Sequence, residues 1–164
     1  MNDFTHHIPE RIVNLIREGR HNPIFLTRFI NTPESPYRRL LDWHACSEPP
    51  ETDLVPEMKS FAKKKCVFDK KGFIGAPNGL IDHLNGMKIT EISVAGIDTE
   101  MCVLKVAMDL FDSGIKPVVI VDCCASTEGL HAHLSGLAIL SKNIGPQQLH
   151  MSCLTQGEMA APAA

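Results

Sequence analysis

Apolar residues recur along this chain in two alternating rhythms. Ile8, Ile12, Val13 and Ile16 fall at helical spacing, with Pro9 tolerated in a first turn and Gly19 as a stop. The apolar-rich run 24–30 then reads as a strand, closed by the turn-forming stretch Asn31-Thr-Pro-Glu-Ser-Pro36. Residues 37–43 predict a short helix, and the proline-rich residues 47–56 predict a surface loop. A short strand over 66–68 follows the basic run Lys63-Lys64-Lys65, which reads as a solvated face.

From there the alternation is regular. Residues 79–84 read as helix, 89–95 as strand and 100–112 as helix, with Val103, Leu104, Ala107, Leu110 and Phe111 on its core face and Gly114 ending it. Residues 117–122 form a continuous apolar run of the kind buried on both faces of a sheet. Residues 128–142 predict another helix using Leu134, Leu137, Ala138 and Ser141, and 147–154 a last edge strand of weak periodicity. The domain spans 1–154; the low-complexity residues 155–164 read as a disordered tail.

Strands alternating with helices imply an α/β domain of three layers, Rossmann-like, with a mostly parallel sheet covered on both faces. In such sheets the site lies beyond the carboxyl ends of the strands. Three segments converge there: Asp69-Lys70, residues 97–102, and Asp122-Cys123-Cys124.

Composition adds mostly exclusions. A chain of 164 residues is one domain with room for a real core. A net charge of −3 supplies no field for nucleic acid or anionic lipid, so neither is an expected partner. The apolar runs are strand-sized, too short to span a bilayer, and the first residues lack a secretory signal's basic and apolar regions. The six cysteines show no CxxC or Cys/His ladder, which argues against zinc and for reduced thiols in a cytoplasmic protein.

The segment that names a chemistry is Val94-Ala-Gly-Ile-Asp-Thr-Glu-Met-Cys-Val103. An apolar strand ends at a Gly, a polar turn follows, and Cys102 opens a helix. A helix start favours a thiolate through its dipole and free N–H groups. A cysteine at a helix start can equally be a small buried hydrophobe. The surrounding pattern decides between them: this segment resembles the nucleophile motif of the isochorismatase-like cysteine hydrolases, with Gly96, Thr99 and Val103 in register. Asp122-Cys-Cys-Ala-Ser126 with His133 and Leu137 is similar to that superfamily's next strand and helix. Val67-Phe-Asp-Lys-Lys-Gly-Phe73 is similar to its lysine segment, and Met1-Asn-Asp-Phe4 to the end of its Asp-x-Gln-Asn-Asp-Phe motif.

The resemblance covers nearly the whole chain. It implies a cofactor-free hydrolase that cleaves a C–N bond of a small amide, or a related small ester or vinyl ether, through a covalent intermediate on Cys102. Lys70 becomes the electrostatic partner of the thiolate. A non-proline cis peptide at Ile97–Asp98 would turn backbone N–H groups toward an oxyanion. Phe73 and Phe4 become candidate substrate contacts, with core packing as the competing reading for each. The partners implied are a small-molecule substrate and further copies of the chain in a homo-oligomer.

One departure bears on activity. Aligned through Asn2-Asp3-Phe4, the family's catalytic Asp and its first strand fall before Met1. Two accounts follow: a start that lies inside the true protein, or a shortened relative that acts as a non-catalytic binding or assembly module. Asp3 occupies the other acidic position of the motif and is a weak substitute for the base. A third class, a thiol redox protein, needs a resolving cysteine near Cys102, and Cys123 and Cys124 read instead as buried strand-end thiols.

Three further groups have plainer readings. Arg28, at a strand end, faces either a substrate carboxylate or a structural ion-pair partner. Asp42-Trp43-His44 has the Asp-x-His spacing of a nicotinamidase metal site. It lies on the 37–43 helix with no further His nearby, so no metal site is expected and Trp43 reads as a packing or rim residue. His133 is expected to pack behind the cysteine.

Overall fold

The computed structural model describes residues 2–19, 21–63, 66–72 and 75–152. Helix α1 (Ile8–Arg17) carries proline in its first turn and ends before Gly19, whose φ of 76° is comfortable only for glycine. Its buried stripe is Ile8, Val13 and Leu15, with Ile12 half-buried beside them.

Strand β1 (Leu26–Phe29) pairs in parallel with β2 (Val67–Lys70), Leu26 opposite Val67 and Phe29 opposite Lys70. Between them lie the short helices α2 (Pro36–Leu41) and α3 (Pro56–Lys59). The second of these lies mostly beyond the predicted loop, and its prolines and brevity hide it from periodicity. Helix α4 (Asn78–Gly86) leads to a second parallel sheet of β3 (Glu91–Ile97), β4 (Lys116–Ala125) and β5 (Leu149–His150), in that order. Helices α5 (Leu104–Asp112) and α6 (Leu130–Ile144) are the crossovers. The α/β class and the parallel pairing agree with the sequence reading.

Strand β4 explains its own apolar run. Residues 117–120 are all buried because both faces are covered. Leu15 of α1 packs on Val118, Ile120 and Cys123 on one side. On the other, Val119 joins Leu110, Leu140 and Ile144 from the crossover helices.

The sheet is in two pieces. Residues 26–29 of β1 and 91–97 of β3 line a cavity of about 1020 Å³, roofed by α1 on one face and by Val103, Val106 and Leu110 on the other. Among the described residues each of these two strands has a partner on one side only.

Some expectations need correction. Phe111 is 45% exposed, so the core face is Val103 at the end of the preceding turn with Ala107 and Leu110 of α5, and Leu104 half-buried against them. In α6 the buried positions are Gly136, Leu140 and Ile144; Leu134 and Ala138 face solvent. Both helices are apolar over more than one face, so period alone picked the wrong edge of each stripe. The last strand is two residues long, preceded by a 3-10 turn at Pro146–Gln148, and its predicted remainder beyond residue 152 lies outside the described residues, as does the 155–164 tail. Among the described residues no helix is long and apolar enough to cross a membrane.

The burial pattern separates two apolar-to-alanine changes. Leu140→Ala, at a fully buried position, should cost about 2–5 kcal/mol in urea unfolding. Phe111→Ala should cost only about 0.5 kcal/mol. Equal losses would contradict this core.

Candidate active site

Strand β3 ends at Ile97, and the Ile97–Asp98 peptide is cis, as the resemblance implied. A single wide π turn, Thr99–Val103, then feeds α5. The Asp98 carbonyl accepts from the amides of Met101 (3.2 Å) and Val103 (3.0 Å), the second being the five-residue bond that widens the turn. Cys102 sits in this turn, half-buried, and lines the end of the cavity between β1 and β3.

Three consecutive side chains pin the turn to the end of β4. The Asp98 carboxylate accepts from the amide (2.7 Å) and hydroxyl (2.9 Å) of Thr127. The fully buried Thr99 hydroxyl donates to the Ala125 carbonyl at 3.1 Å. Glu100 accepts from Ser126 at 2.7 Å, while its other oxygen is buried without a partner. Behind them, His133 Nδ1 lies 2.7 Å from the Thr99 oxygen. The Thr99 proton is already committed to Ala125, so His133 must be the donor there, which places its hydrogen on Nδ1. Burial pulls the His133 pKa down from 6.5, partly opposed by Glu100. Gly136 lets α6 come this close: a Cβ there would stand 2.7 Å from the Glu100 nitrogen and 2.9 Å from the Thr99 carbonyl carbon.

An aromatic wall stands opposite. Phe29, at the end of β1, meets Tyr37 edge-on at 5.4 Å between ring centroids and stacks with Trp43 at 6.1 Å; Tyr37 and Trp43 are 5.5 Å apart. Burial, reinforced by negative charge on the nearby Cys102 sulfur, pushes the Tyr37 phenol up to about 12. Phe29 and Cys102 line the same cavity. Sequence reasoning named Trp43 as a rim residue but passed over Phe29 and Tyr37. The available signal was that the chain's single Tyr and single Trp fall within one short segment after a strand end.

Lys70 ends β2 at the same edge. It is only 4% exposed, and its ammonium has no hydrogen-bond partner among the described residues. A buried cation without an anion is costly unless the site supplies one. Arg28 does not face the pocket as a free cation: it grips Asp69 through Nε (2.8 Å) and Nη2 (3.0 Å), the structural reading of the two.

The remaining candidates fall outside this cluster. Phe73 lies outside the described residues. Phe4 is half-exposed and packs on Gly129, at 3.6 Å from where a Cβ would stand. The turn before it reaches the site's rim, with Asn2 donating to the Thr127 carbonyl at 2.7 Å. Asp3 is exposed. Asp42 and His44 pair with each other at 2.8 Å, and His44 with Arg38. Among the described residues no group of three His, Cys, Asp or Glu side chains is placed to hold a metal. Burial pushes Cys123 up to about 11 and Cys124 up to about 12, which makes both poor nucleophiles.

The pattern of the isochorismatase domain matches residues 2–148, and the chain belongs to that family. No curated protein matches it by sequence. Among solved structures it is similar to an isochorismatase-like hydrolase from Alkaliphilus metalliredigens, at 18% identity and a TM-score of 0.72, covering 91% of this chain and 79% of that one. N-carbamoylsarcosine amidase from Thermoplasma acidophilum matches at 17% identity and 0.69, covering 91% and 83%. Nicotinamidase PncA from Bacillus subtilis matches at 22% and 0.70, covering 87% and 81%. At these identities the likeness is one of fold.

Two outcomes test the anchoring of the turn. Gly136→Ala should destabilise by about 1–3 kcal/mol in urea unfolding and slow alkylation of Cys102, because backbone atoms must yield. His133 favours its neutral form when folded. Its contribution is complete above about pH 6.5 and is lost as pH falls from there through the folded value. Unfolding measured from pH 7.5 to 5 should therefore lose stability, and His133→Gln should flatten that loss. A parallel loss in the variant would show that other groups cause it.

Proposed function

We propose that this protein is a cofactor-free hydrolase that cleaves a C–N bond of a small amide through a thioester on Cys102. The observation that carries the reading is the placement of Cys102: beyond the carboxyl end of β3, within the helical turn that leads into α5, which is tied to the last residue of β4 and the two residues after it. A held thiol at a helix start is set up as a nucleophile.

The chemistry follows from the groups around it. The Cys102 sulfur attacks the amide carbon, and the C=O becomes a tetrahedral oxyanion. Backbone N–H groups of the turn that opens after Asp98 serve as its donors. The C–N bond then breaks, the amine leaves with a proton, and water hydrolyses the thioester to regenerate the thiol and release the acid. Lys70 supports the thiolate by its charge. The wall of Phe29, Tyr37 and Trp43 suits a planar group, since flat rings stack on aromatic faces. The likeness to a nicotinamidase and an N-carbamoylsarcosine amidase makes an amide C–N bond the first choice here.

The thiol proton needs an acceptor. The carboxylates described around the turn are engaged: Asp98 by Thr127, Asp69 by Arg28, Glu100 by Ser126. None of them is assigned as the base.

The test is turnover of a panel of small amides, including nicotinamide and N-carbamoylsarcosine, with mass spectrometry for an acylated Cys102. Cys102→Ser should lower turnover by at least about a thousandfold. Lys70→Met, which keeps the bulk, should slow Cys102 alkylation at pH 7 by about tenfold. A thiol no more reactive than a free cysteine, with no acyl adduct on any amide, would sink the proposal.

A further inference from the structure

On the premise of the hydrolase reading, we propose that Asn31 is a positioning residue: its side-chain amide holds Trp43 against Phe29 and so sets the flat wall that selects substrates carrying a planar ring. Asn31 follows β1 and is fully buried. Its Nδ2 donates to the carbonyls of Trp43 (2.7 Å) and Ala45 (2.9 Å), and its backbone N–H to the carbonyl of Cys46 (2.8 Å). Three carbonyls of one loop therefore close on one residue at the strand end. Both neighbours of the side chain are carbonyl oxygens, which only accept, so the amide nitrogen rather than the oxygen must face them.

One face of the strand end grips Trp43 twice. The Ile30 amide still donates to the Lys70 carbonyl at 2.9 Å, so the extended chain runs on past Phe29. Residues two apart in an extended chain project to the same side, which puts the Phe29 ring and the Asn31 amide together. The ring stacks on the Trp43 indole at 6.1 Å and 25°, and the amide takes the Trp43 carbonyl. From the other direction the Trp43 N–H donates to the Tyr37 carbonyl at 3.0 Å, with the Tyr37 ring 5.5 Å from the indole. The loop needs this support. Asp42 and Cys46, on either side of Trp43, have left-handed φ angles of 50° and 57°. Such conformations are unfavourable for residues other than glycine and persist where the surroundings impose them.

Few side chains could replace this one. Two donors must diverge from a single atom to carbonyls two residues apart. A serine offers one proton, a glutamine sets its amide a methylene too far, and an aspartate would turn negative charge on both carbonyls. The Asn31 oxygen is itself buried without a hydrogen-bond partner among the described residues. That is unfavourable, so the two donors are what the site gains from this amide. Trp43 remains 40% exposed, which leaves part of the indole open to a ligand, and Phe29 lines the same cavity as Cys102. The Cys102 turn is anchored separately, on residues 125–127, so losing the clamp disturbs ring recognition and leaves the thiol in place.

Trp43 is the chain's single tryptophan, so its fluorescence reads the wall directly. In Asn31→Asp, which keeps the size and removes both donors, acrylamide quenching of Trp43 should rise by about twofold or more, while iodoacetamide labelling of Cys102 stays within about twofold of the unaltered protein. Asn31→Ser, which keeps one donor, should fall between the two and stands in if Asn31→Asp does not fold. The ratio of kcat/KM for ring amides over ring-free amides, nicotinamide over N-carbamoylsarcosine first, should drop about three- to tenfold in these variants, the worth of one aromatic contact, through KM rather than kcat. Trp43→Leu, which keeps the backbone clamp, should lower the ratio as much. Unchanged quenching in a folded Asn31 variant would overturn the clamp, and an unchanged ratio in Trp43→Leu would overturn the wall's part in selection. Cys102 labelling that changes as much as the quenching, or Asn31 variants that all fail to fold, would make Asn31 a general structural residue and overturn the proposal too. An unaltered protein that turns over no amide would instead sink the hydrolase reading and the selectivity that rests on it, with the quenching still deciding the clamp.

Discussion

The Thr99 hydroxyl, fully buried and donating to the Ala125 carbonyl, is the contact on which the geometry around Cys102 depends. It joins the residue after the cis peptide to the last residue of β4. Asp98 and Glu100 make the same crossing to Thr127 and Ser126. Three adjacent residues tied to three adjacent residues leave the turn little freedom to rotate. Being buried, the Thr99–Ala125 bond is also costly to break, since its loss would strand a polar group away from water. The donor assignment at Thr99 then dictates the His133 tautomer, so a proton two contacts away from Cys102 is fixed by the fold.

The opposite wall is held differently. Phe29, Tyr37, Lys70 and the Arg28–Asp69 pair all belong to the β1–β2 half, which among the described residues shares no strand pairing with the β3–β4–β5 half. What joins the halves at their far end is side-chain packing: Phe25 lies against His83 at 5.5 Å, Phe68 against His83 at 6.1 Å, and both sit on the core that contains Leu84 and Val94. Packing of this kind is strong but not directional, whereas a shared strand would fix register residue by residue. The site is thus rigid on its cysteine side and set on its aromatic side by hydrophobic contact.

Much of this was legible in the residues. The strand-turn-helix reading at 94–103 located Cys102, and Lys70 stood at a strand end as expected. The β4 run announced burial on both faces. The parts that were not legible are those where local pattern carries no information. Phe111 and Leu134 match their helices' apolar stripes, and only the angle at which α5 and α6 dock decides that they face outward. The aromatic wall assembles from β1, α2 and the loop after it, and nothing in the spacing of Phe29, Tyr37 and Trp43 says that the three rings meet. The three ties from 98–100 to 125–127 are likewise a matter of tertiary register, invisible to a reading that treats each segment alone.

The two halves explain why nucleophile and pocket are separable properties of this fold. The turn that presents Cys102 is anchored wholly on the β4 and α6 side, so it is complete without reference to β1 or β2. The groups that would meet a substrate's ring, and the cation that would steady a thiolate, approach from across the gap. Cys102 and Ile97 line the end of that same gap. The gap therefore borders Cys102 on one side and Phe29 on the other. The placement of the aromatic face relative to the turn is therefore set by side-chain packing between the halves, while the turn itself is held by hydrogen bonds.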